Sequence, residues 1–379
     1  MSQSDTDAPD EGDLERLISD RLSGAIEQLR SRGIDDDEIS GRISRAVSET
    51  ASESGRRVAD DLLRQAPDFL TYERTDHWGF MERVRLHYGP AFDAYYATMY
   101  SAREIAEKIA SENHGPDEPA LLHVLLNLQG RACLTAWEVY ALLFQGFPSG
   151  ALARARTLHE IAVVAAFIAQ HSRDEGHDDL PVRFVDHAAV QTWGDAKAYQ
   201  RSCEALGYEP LDAETFGEIS DRYRKVMSEY EPDFDQPYGW AAKAAGKARP
   251  NFADLESAVD RGEMRGHYKW ACHFVHADAK GMLLNFVDFR GSMLRVTGPT
   301  NLGFVEPANM ALTSLVEVTT TLLWDRDQNS HTIDDLLAMT TIMAMHVSTI
   351  ERFGEGEQRV DEAEQRILAE HQRTDGDHS

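Results

Sequence analysis

The sequence is poor in cysteine, in lysine and in long apolar runs. Its three cysteines are widely spaced and form no Cys-x-x-Cys pair, which argues against a disulfide framework and against a cysteine-rich zinc site. No apolar run reaches the ~18 residues that a membrane-spanning helix needs. The acidic N-terminal segment lacks the cationic start and apolar core of a secretory signal. These absences predict a cytoplasmic protein with no membrane segment.

Acidic side chains far outnumber basic ones. The 379 residues include 65 acidic and 38 basic side chains, which gives a formal net charge of -27. Such a charge repels phosphate backbones at long range, so stable binding to duplex DNA is not expected. An enzyme that binds RNA or another phosphate-bearing ligand in a local basic pocket stays compatible with this charge.

Segments with helical apolar spacing follow one another along the chain, separated by Gly- and Pro-containing segments such as HGPDEP and QGFPSG. No series of alternating strands and no internal repeat stands out. The pattern therefore predicts an all-α fold, a multi-helix bundle. Helices are expected over residues 79–113, 119–145, 149–171, 182–205, 213–230, 264–280, 307–324 and 332–352.

Composition predicts three parts: a helical N-terminal arm (1–76), an all-α core domain (77–355) and a charged C-terminal tail (356–379). The arm resembles two or three short amphipathic helices, with breaks at Gly33 and around Ser52. Such helices need a surface to bury against, so the arm is expected to pack loosely on the core or to mediate homo-oligomer formation. In the core, the short QGFPSG loop predicts a hairpin of the helices that it joins, and GSMLRVTGPTNLGFVEP is expected to be an ordered loop.

The segment RARTLHEIAVVAAFIAQH places ionisable groups at the start of the most apolar helix. Arg156, His159 and Glu160 lie three or four residues apart, on a helix face that continues into apolar residues. Unpaired charges at the edge of a core are costly, so these groups need partners. They either form an internal Arg156–Glu160 pair that anchors the helix or face a polar pocket.

The spacing of Arg154 and His159 is similar to the Arg-x4-6-His pattern of the small helical HEPN ribonucleases. In that chemistry the arginine holds the scissile phosphate and the histidine moves a proton, without a metal. This resemblance favours a ribonuclease or phosphodiesterase of toxin or phage-defence type. Arg154, Arg156, His159 and Glu160 are then candidate catalytic residues.

The preceding helix carries Arg131 and Glu138 on one side, seven residues apart. Because the connecting loop is short, these side chains are expected to meet the polar residues of the next helix. They either form a buried ion pair that joins the two helices, or Arg131 contributes to substrate binding.

The segment HYKWACHFVHADAKG places His273, His276 and Lys280 on one predicted helix face, downstream of Tyr268. These groups are either satisfied core polar residues or part of a metal-free pocket. In that pocket the two histidines are catalytic, while Lys280 and Tyr268 bind a phosphate or carboxylate. The alternative cofactor is a divalent metal, for which the candidate ligands are Glu160, Asp186, His187 and His276.

Five blocks, ARARTLHEIAVVAAFI, RFVDHAAV, YGWAAKA, YKWACHFVHADAKG and GPTNLGFVEP, carry a further resemblance. In this order they resemble a helical prokaryotic family known as domain-of-unknown-function family 5677, over roughly residues 80–350. The resemblance implies an all-α domain and no particular activity. The motif residues that it implies here are Arg156, His159, Glu160, His187, Tyr238, Tyr268, His273, His276 and Lys280.

Three functional hypotheses follow: a metal-independent ribonuclease or phosphodiesterase, a metal-dependent helical-bundle enzyme, and a non-catalytic helical sensor or partner-binding module. Both enzyme hypotheses require helices 149–171 and 264–280 to face one cleft. Walker, GxSxG, GxGxxG and HExxH motifs do not occur in the sequence, which removes the most common nucleotide, hydrolase, dinucleotide and zinc-protease classes.

Overall fold

The computed structural model describes residues 23–113, 115, 119–284, 286–289, 292–325 and 332–376, and most of these residues are helical. The predicted all-α, multi-helix fold is therefore confirmed. The α-helices are α1 (Asp36–Asn113), α2 (Ala120–Phe144), α3 (Pro148–His171), α4 (Leu180–Ser202), α5 (Ala213–Glu229), α6 (Phe252–Ala258), α7 (Arg265–Cys272), α8 (Ala279–Leu283), α9 (Val305–Asp325) and α10 (Ile333–Gly376). Short 3-10 helices lie at Pro232–Asp235, Gly239–Ala241 and Gly262–Met264, and a hairpin is formed by β1 (Phe286–Phe289) and β2 (Ser292–Arg295).

The chain divides into two compact units, Met1–Gly79 and Phe80–Ser379, and α1 contributes residues to both. The first helix predicted for the arm begins within residues 1–22, which lie outside the described part of the chain. From residue 23 the chain is helical as far as residue 31. Gly33 then adopts a positive φ of 77°, so the predicted break at this glycine is confirmed.

The break predicted around Ser52 is wrong, since α1 is continuous through this residue. Serine and glycine lower the stability of a helix by no more than about 1 kcal/mol each. Ion pairs between residues four apart, Arg42 with Glu38 and Arg57 with Glu53, favour the helix on both sides.

The second unit is built around α3, which packs against α2 and α9 and also contacts α6 and α7. Alanines on several sides of α3, among them Ala155, Ala162 and Ala166, are buried and allow its neighbours to approach closely. The predicted hairpin of α2 and α3 is confirmed. Gly146 makes the tight turn with a φ of +81°, and a Cβ at this position would overlap the Phe80 ring, so both the conformation and the space require glycine.

The C-terminal half of α1 packs against α10 through aromatic side chains. Tyr88 and Phe92 are buried, and each lies beside Phe353 of α10. The helix predicted to end at residue 352 continues to Gly376, and Val360 is also buried. Residues 356–376 of the predicted charged tail therefore extend a core helix.

The single helix predicted over 264–280 is wrong. α7 ends at Cys272, and α8 begins only at Ala279. Between them, the Asp278 carboxylate accepts a hydrogen bond from the Gly281 backbone N–H at 2.6 Å and contacts His273 Nδ1 at 2.7 Å. Asp278 is thus the N-cap of a new helix, and its side chain competes with continuation of the old one.

The predicted ordered loop over 291–307 contains a strand at its start. Ser292–Arg295 form β2, which pairs antiparallel with β1 so that Phe286 lies opposite Arg295. The sequence signal was present, because two short segments with apolar residues are separated by a glycine-containing dipeptide.

Among the described helices, none combines the length and the apolar character that crossing a bilayer requires.

Candidate functional site

Arg156, Glu160 and Tyr268 form a cluster that joins α3 to α7. Arg156 Nη2 donates to the Tyr268 hydroxyl at 2.7 Å and lies 2.9 Å from Glu160 Oε1, and the Tyr268 hydroxyl donates to the same carboxylate oxygen at 2.7 Å. Arg156 Nε also donates to Cys272 Sγ at 3.2 Å. Burial, and next the hydrogen bond to Glu160, raises the pKa of Tyr268, so its hydroxyl stays protonated and keeps donating. The internal Arg156–Glu160 pair is present and is completed by a tyrosine from another helix.

His159 belongs to a separate, buried network. Its Nε2 lies 3.0 Å from Glu256 Oε1, and Arg265 Nη1 donates to the other oxygen of this buried carboxylate at 2.9 Å. Burial lowers the pKa of His159 more than Glu256 raises it, so the neutral ring donates to the carboxylate through Nε2. The rings of Phe252 and Tyr268 lie against the imidazole, whose exposed fraction is 0%. His159 is therefore closed off from any substrate in this conformation.

Arg154 and His159 both lie on α3, but their side chains bind different neighbouring helices. Its guanidinium pairs with Glu138 of α2, and the two side chains are 39% and 42% exposed. The ion pair across the hairpin therefore joins Glu138 to Arg154 and does not involve Arg131. His159 meanwhile contacts Glu256 of α6. The two residues of the Arg-x4-6-His spacing thus have separate partners on two different helices.

The structure places His273, His276 and Lys280 across the break between α7 and α8. The break after Cys272 removes the common helix face on which their grouping depended. His273 is bound to Asp278 within its own turn, and His276 and Lys280 are exposed. α7 does contact α3, but it does so through Tyr268 and Cys272.

Three of the four candidate metal ligands are bound to other groups, and His276 is exposed. Asp186 accepts a hydrogen bond from the Tyr230 hydroxyl at 2.7 Å, and His187 Nε2 lies 2.9 Å from the backbone oxygen of Gln236. Glu160 is engaged in the Arg156 cluster. Within the described ranges, no group of three or more His, Cys, Asp and Glu side chains is arranged to hold a metal ion.

A cavity of about 550 Å³ lies beside the Arg156 cluster, between α2, α3, α4 and the segment around Tyr238. We call it the Tyr238 cavity. Glu160 belongs to both the cluster and the cavity wall. The polar lining residues are Arg131, Thr157, Glu160, His187, Gln191 and Tyr238. The apolar lining residues are Leu128, Ile161, Val164, Phe184, Val185, Ala188, Pro237 and Trp240.

Three polar side chains of the Tyr238 cavity have no protein partner. In the part of the chain that the structure describes, the side chains of Arg131, Gln191 and Tyr238 form neither a hydrogen bond nor an ion pair. Arg131 and Gln191 are exposed at the mouth, whereas Tyr238 is half-buried. Burial, and next the charge of Glu160, raises the pKa of Tyr238, so its hydroxyl stays protonated. The cavity therefore offers a guanidinium, an amide and a hydroxyl to a bound molecule.

Sequence reasoning missed Glu256, Arg265 and Gln191. Glu256 lies in a short helix with ordinary composition, and nothing in NFADLESA distinguishes a buried carboxylate from an exposed one. Gln191 follows His187 by four residues, so the two share a face of α4. That spacing is a signal, and it could have added Gln191 to the pocket residues predicted from VDHAAV.

Comparison with known proteins gives one family. Residues 122–293 match the model of a family of unknown function, DUF5677. The resemblance carried by the sequence blocks is thereby confirmed over this segment. The segment begins within α2, extends past α8 and contains every residue that lines the Tyr238 cavity. No curated protein and no solved structure matches the chain.

Proposed function

We propose that the protein is a helical sensor module that binds a small molecule in the Tyr238 cavity. The observation that carries this proposal is the set of three polar side chains, Arg131, Gln191 and Tyr238, that face one cavity without a protein partner. Binding pockets combine apolar walls with a few convergent polar groups, and this cavity has that composition.

The motif residues implied by the family resemblance support the same location. Glu160, His187 and Tyr238 come from separate segments of the chain and line one cavity. Arg156 and Tyr268 hold the Glu160 carboxylate through hydrogen bonds. Such fixed polar groups are what a specific pocket requires, since a side chain that is already ordered loses little entropy when a ligand binds.

The ribonuclease hypothesis has weaker support from the geometry. It needs an arginine and a histidine at one phosphate, and proton transfer needs contact within about 3 Å. Arg154 is paired with Glu138, and His159 is buried against Glu256. Function as a toxin or in phage defence and a cytoplasmic location stay predictions.

The predicted homo-oligomer through the N-terminal arm also stays a prediction, and one feature of the first unit supports it. Large apolar side chains of α1 in this unit are exposed, among them Leu62, Leu63, Phe69 and Trp78. Patches of this kind on a soluble protein often mark an interaction surface.

A small-molecule screen with a matched pair of cavity variants tests the sensor proposal. Ala188 lines the mouth of the Tyr238 cavity and is exposed, so Ala188→Trp fills the cavity without disturbing the core. Ala198 is exposed on the same helix outside the cavity, and Ala198→Trp serves as the control. A metabolite library is screened by thermal shift against the full-length wild type and both variants.

We expect compounds that stabilise the wild type and A198W but not A188W. A ligand at 100 times its Kd adds about 2.7 kcal/mol to the free energy of unfolding, which such a screen detects readily. Equal shifts in both variants would mean that binding occurs elsewhere. An RNA-cleavage assay in parallel, with H159L as the comparison, decides the ribonuclease hypothesis: metal-independent cleavage that is lost in H159L would overturn the non-catalytic proposal.

A further inference from the structure

We infer that the ligand of the Tyr238 cavity is a small carboxylate with an aromatic or branched apolar body. This inference rests on the proposed function and adds to it the chemical class of the ligand. It follows from the charges of the lining residues, from the nature of the cavity walls and from the size of the cavity.

Arg131 is the uncompensated charge of the cavity. The charge of Glu160 is already balanced by Arg156 at 2.9 Å, and Tyr268 donates to the same oxygen. Burial lowers the pKa of His187, and its Nε2 must carry the proton that binds the Gln236 carbonyl, so this ring is neutral at pH 7. Among the lining residues, Arg131 therefore leaves one positive charge without a partner in the described chain.

The neutral polar groups of the cavity also suit an anion. Tyr238 keeps its proton and can donate a hydrogen bond to a ligand, and the Gln191 amide provides two further N–H groups. A planar carboxylate accepts two parallel hydrogen bonds from a guanidinium and has lone pairs left for other donors. These donors and Arg131 together can satisfy one carboxylate.

The walls determine the rest of the ligand. Phe184 and Trp240 lie edge to face, with their ring centroids 4.9 Å apart. Both line the cavity together with branched side chains such as Ile161 and Val164. A volume of about 550 Å³ is within the range of small-molecule sites, so an apolar body of one or two rings fits beside the carboxylate.

A phosphate ester is the less favoured anion. Phosphate groups are commonly held by several cations or by the backbone N–H groups at the start of a helix. Arg131 is the single arginine that lines the Tyr238 cavity. The residues of α3 that line the cavity, from Thr157 to Val164, are far from the start of this helix at Pro148. The carboxylate is thus the anion that matches the available donors.

Calorimetric titration of the full-length protein tests this inference. The probes are phenylacetate, 2-naphthylacetate and 4-methylpentanoate, each compared with its neutral primary amide, and phenyl phosphate represents the phosphate esters. Arg131→Gln removes the charge and keeps hydrogen-bonding capacity. Arg222→Gln is the control, because Arg222 is an exposed arginine outside the cavity.

We expect at least one carboxylate to bind about tenfold or more tightly than its amide, which is the factor that a charge-assisted hydrogen bond supplies. R131Q should abolish this preference, and R222Q should keep it. The inference is overturned if no carboxylate binds, if acids and amides bind equally, or if phenyl phosphate binds best. The A188W screen decides separately whether the cavity binds a small molecule, so a bound neutral compound that A188W excludes would leave the sensor function standing without this ligand class.

Discussion

The buried His159–Glu256 pair allows a test of whether these residues stabilise the fold or perform a reaction. Their exposed fractions are 0% and 1%, so neither side chain has access to water. Replacing one partner leaves the other buried without its hydrogen bond. A buried polar group in that state costs about 1–3 kcal/mol.

We therefore expect His159→Leu and Glu256→Leu each to lower the free energy of unfolding by about 1–3 kcal/mol. The double variant replaces both polar groups by apolar ones, which is often neutral or stabilising in a buried position. Arg265 is left behind, but its side chain is 33% exposed and can be solvated. The double variant should thus lie within about 1 kcal/mol of the wild type, with a coupling energy of at least about 1 kcal/mol.

Urea unfolding followed by far-UV circular dichroism measures all four proteins, and calorimetry measures their ligand binding. Additive losses in the double variant would refute the reasoning, because they would show that the two side chains do not depend on each other. Ligand binding should survive in the double variant, since neither residue lines the Tyr238 cavity.

Three further predictions follow from named contacts. Burial holds the pKa values of His159, His187 and His346 below 6.5, so the unfolded chain binds more protons than the folded one. As the pH is lowered from about 6.5 to the folded-state pKa values, the free energy of unfolding should therefore fall, by at most about 1.4 kcal/mol per pH unit for each histidine. A melting temperature that does not fall on acidification would contradict this. Gly239→Ala should lower the free energy of unfolding by about 1–3 kcal/mol, because the added Cβ overlaps the Phe234 carbonyl. Since Gly239 follows Tyr238 in the sequence, the variant should also weaken ligand binding, and thermal melts and calorimetry check the two effects. Arg154→Gln should cost less than about 1 kcal/mol in urea unfolding, because its pair with Glu138 is partly exposed, and a larger loss would show a structural role that the geometry does not predict.

The fold was accessible to sequence reasoning wherever apolar spacing was strong. The limits of α2, α3 and α9 lie within about two residues of those expected, because each helix buries a long apolar face and begins at or near proline or glycine. The errors fall where one local interaction decides the outcome. Asp278 caps a new helix, so the helix predicted to continue to residue 280 ends at Cys272. Gly356 packs on the Tyr88 ring, although composition alone assigns this segment to a charged tail.

The site was only partly accessible for the same reason. Helical spacing correctly grouped Arg156 with Glu160, because residues four apart always share a face. It could not supply Glu256, which binds His159 from a helix about 100 residues away in sequence, or Arg265, which in turn binds Glu256. It also placed His276 and Lys280 on a face that depends on an unbroken helix. Partners between distant segments are set by tertiary packing, which spacing does not encode.

The ionisable groups at the start of α3 have two separate physical reasons to be there. His159 is hydrogen-bonded to Glu256 in the core, and a pair of apolar residues could replace them. Arg156 and Glu160 are different, because Glu160 reaches the wall of an open cavity and its charge must be balanced there. If Glu160 had no partner, its negative charge would oppose the binding of an anion by Arg131. Arg156 and Tyr268 neutralise and hold that carboxylate, and this arrangement leaves Arg131 to determine the charge of the ligand.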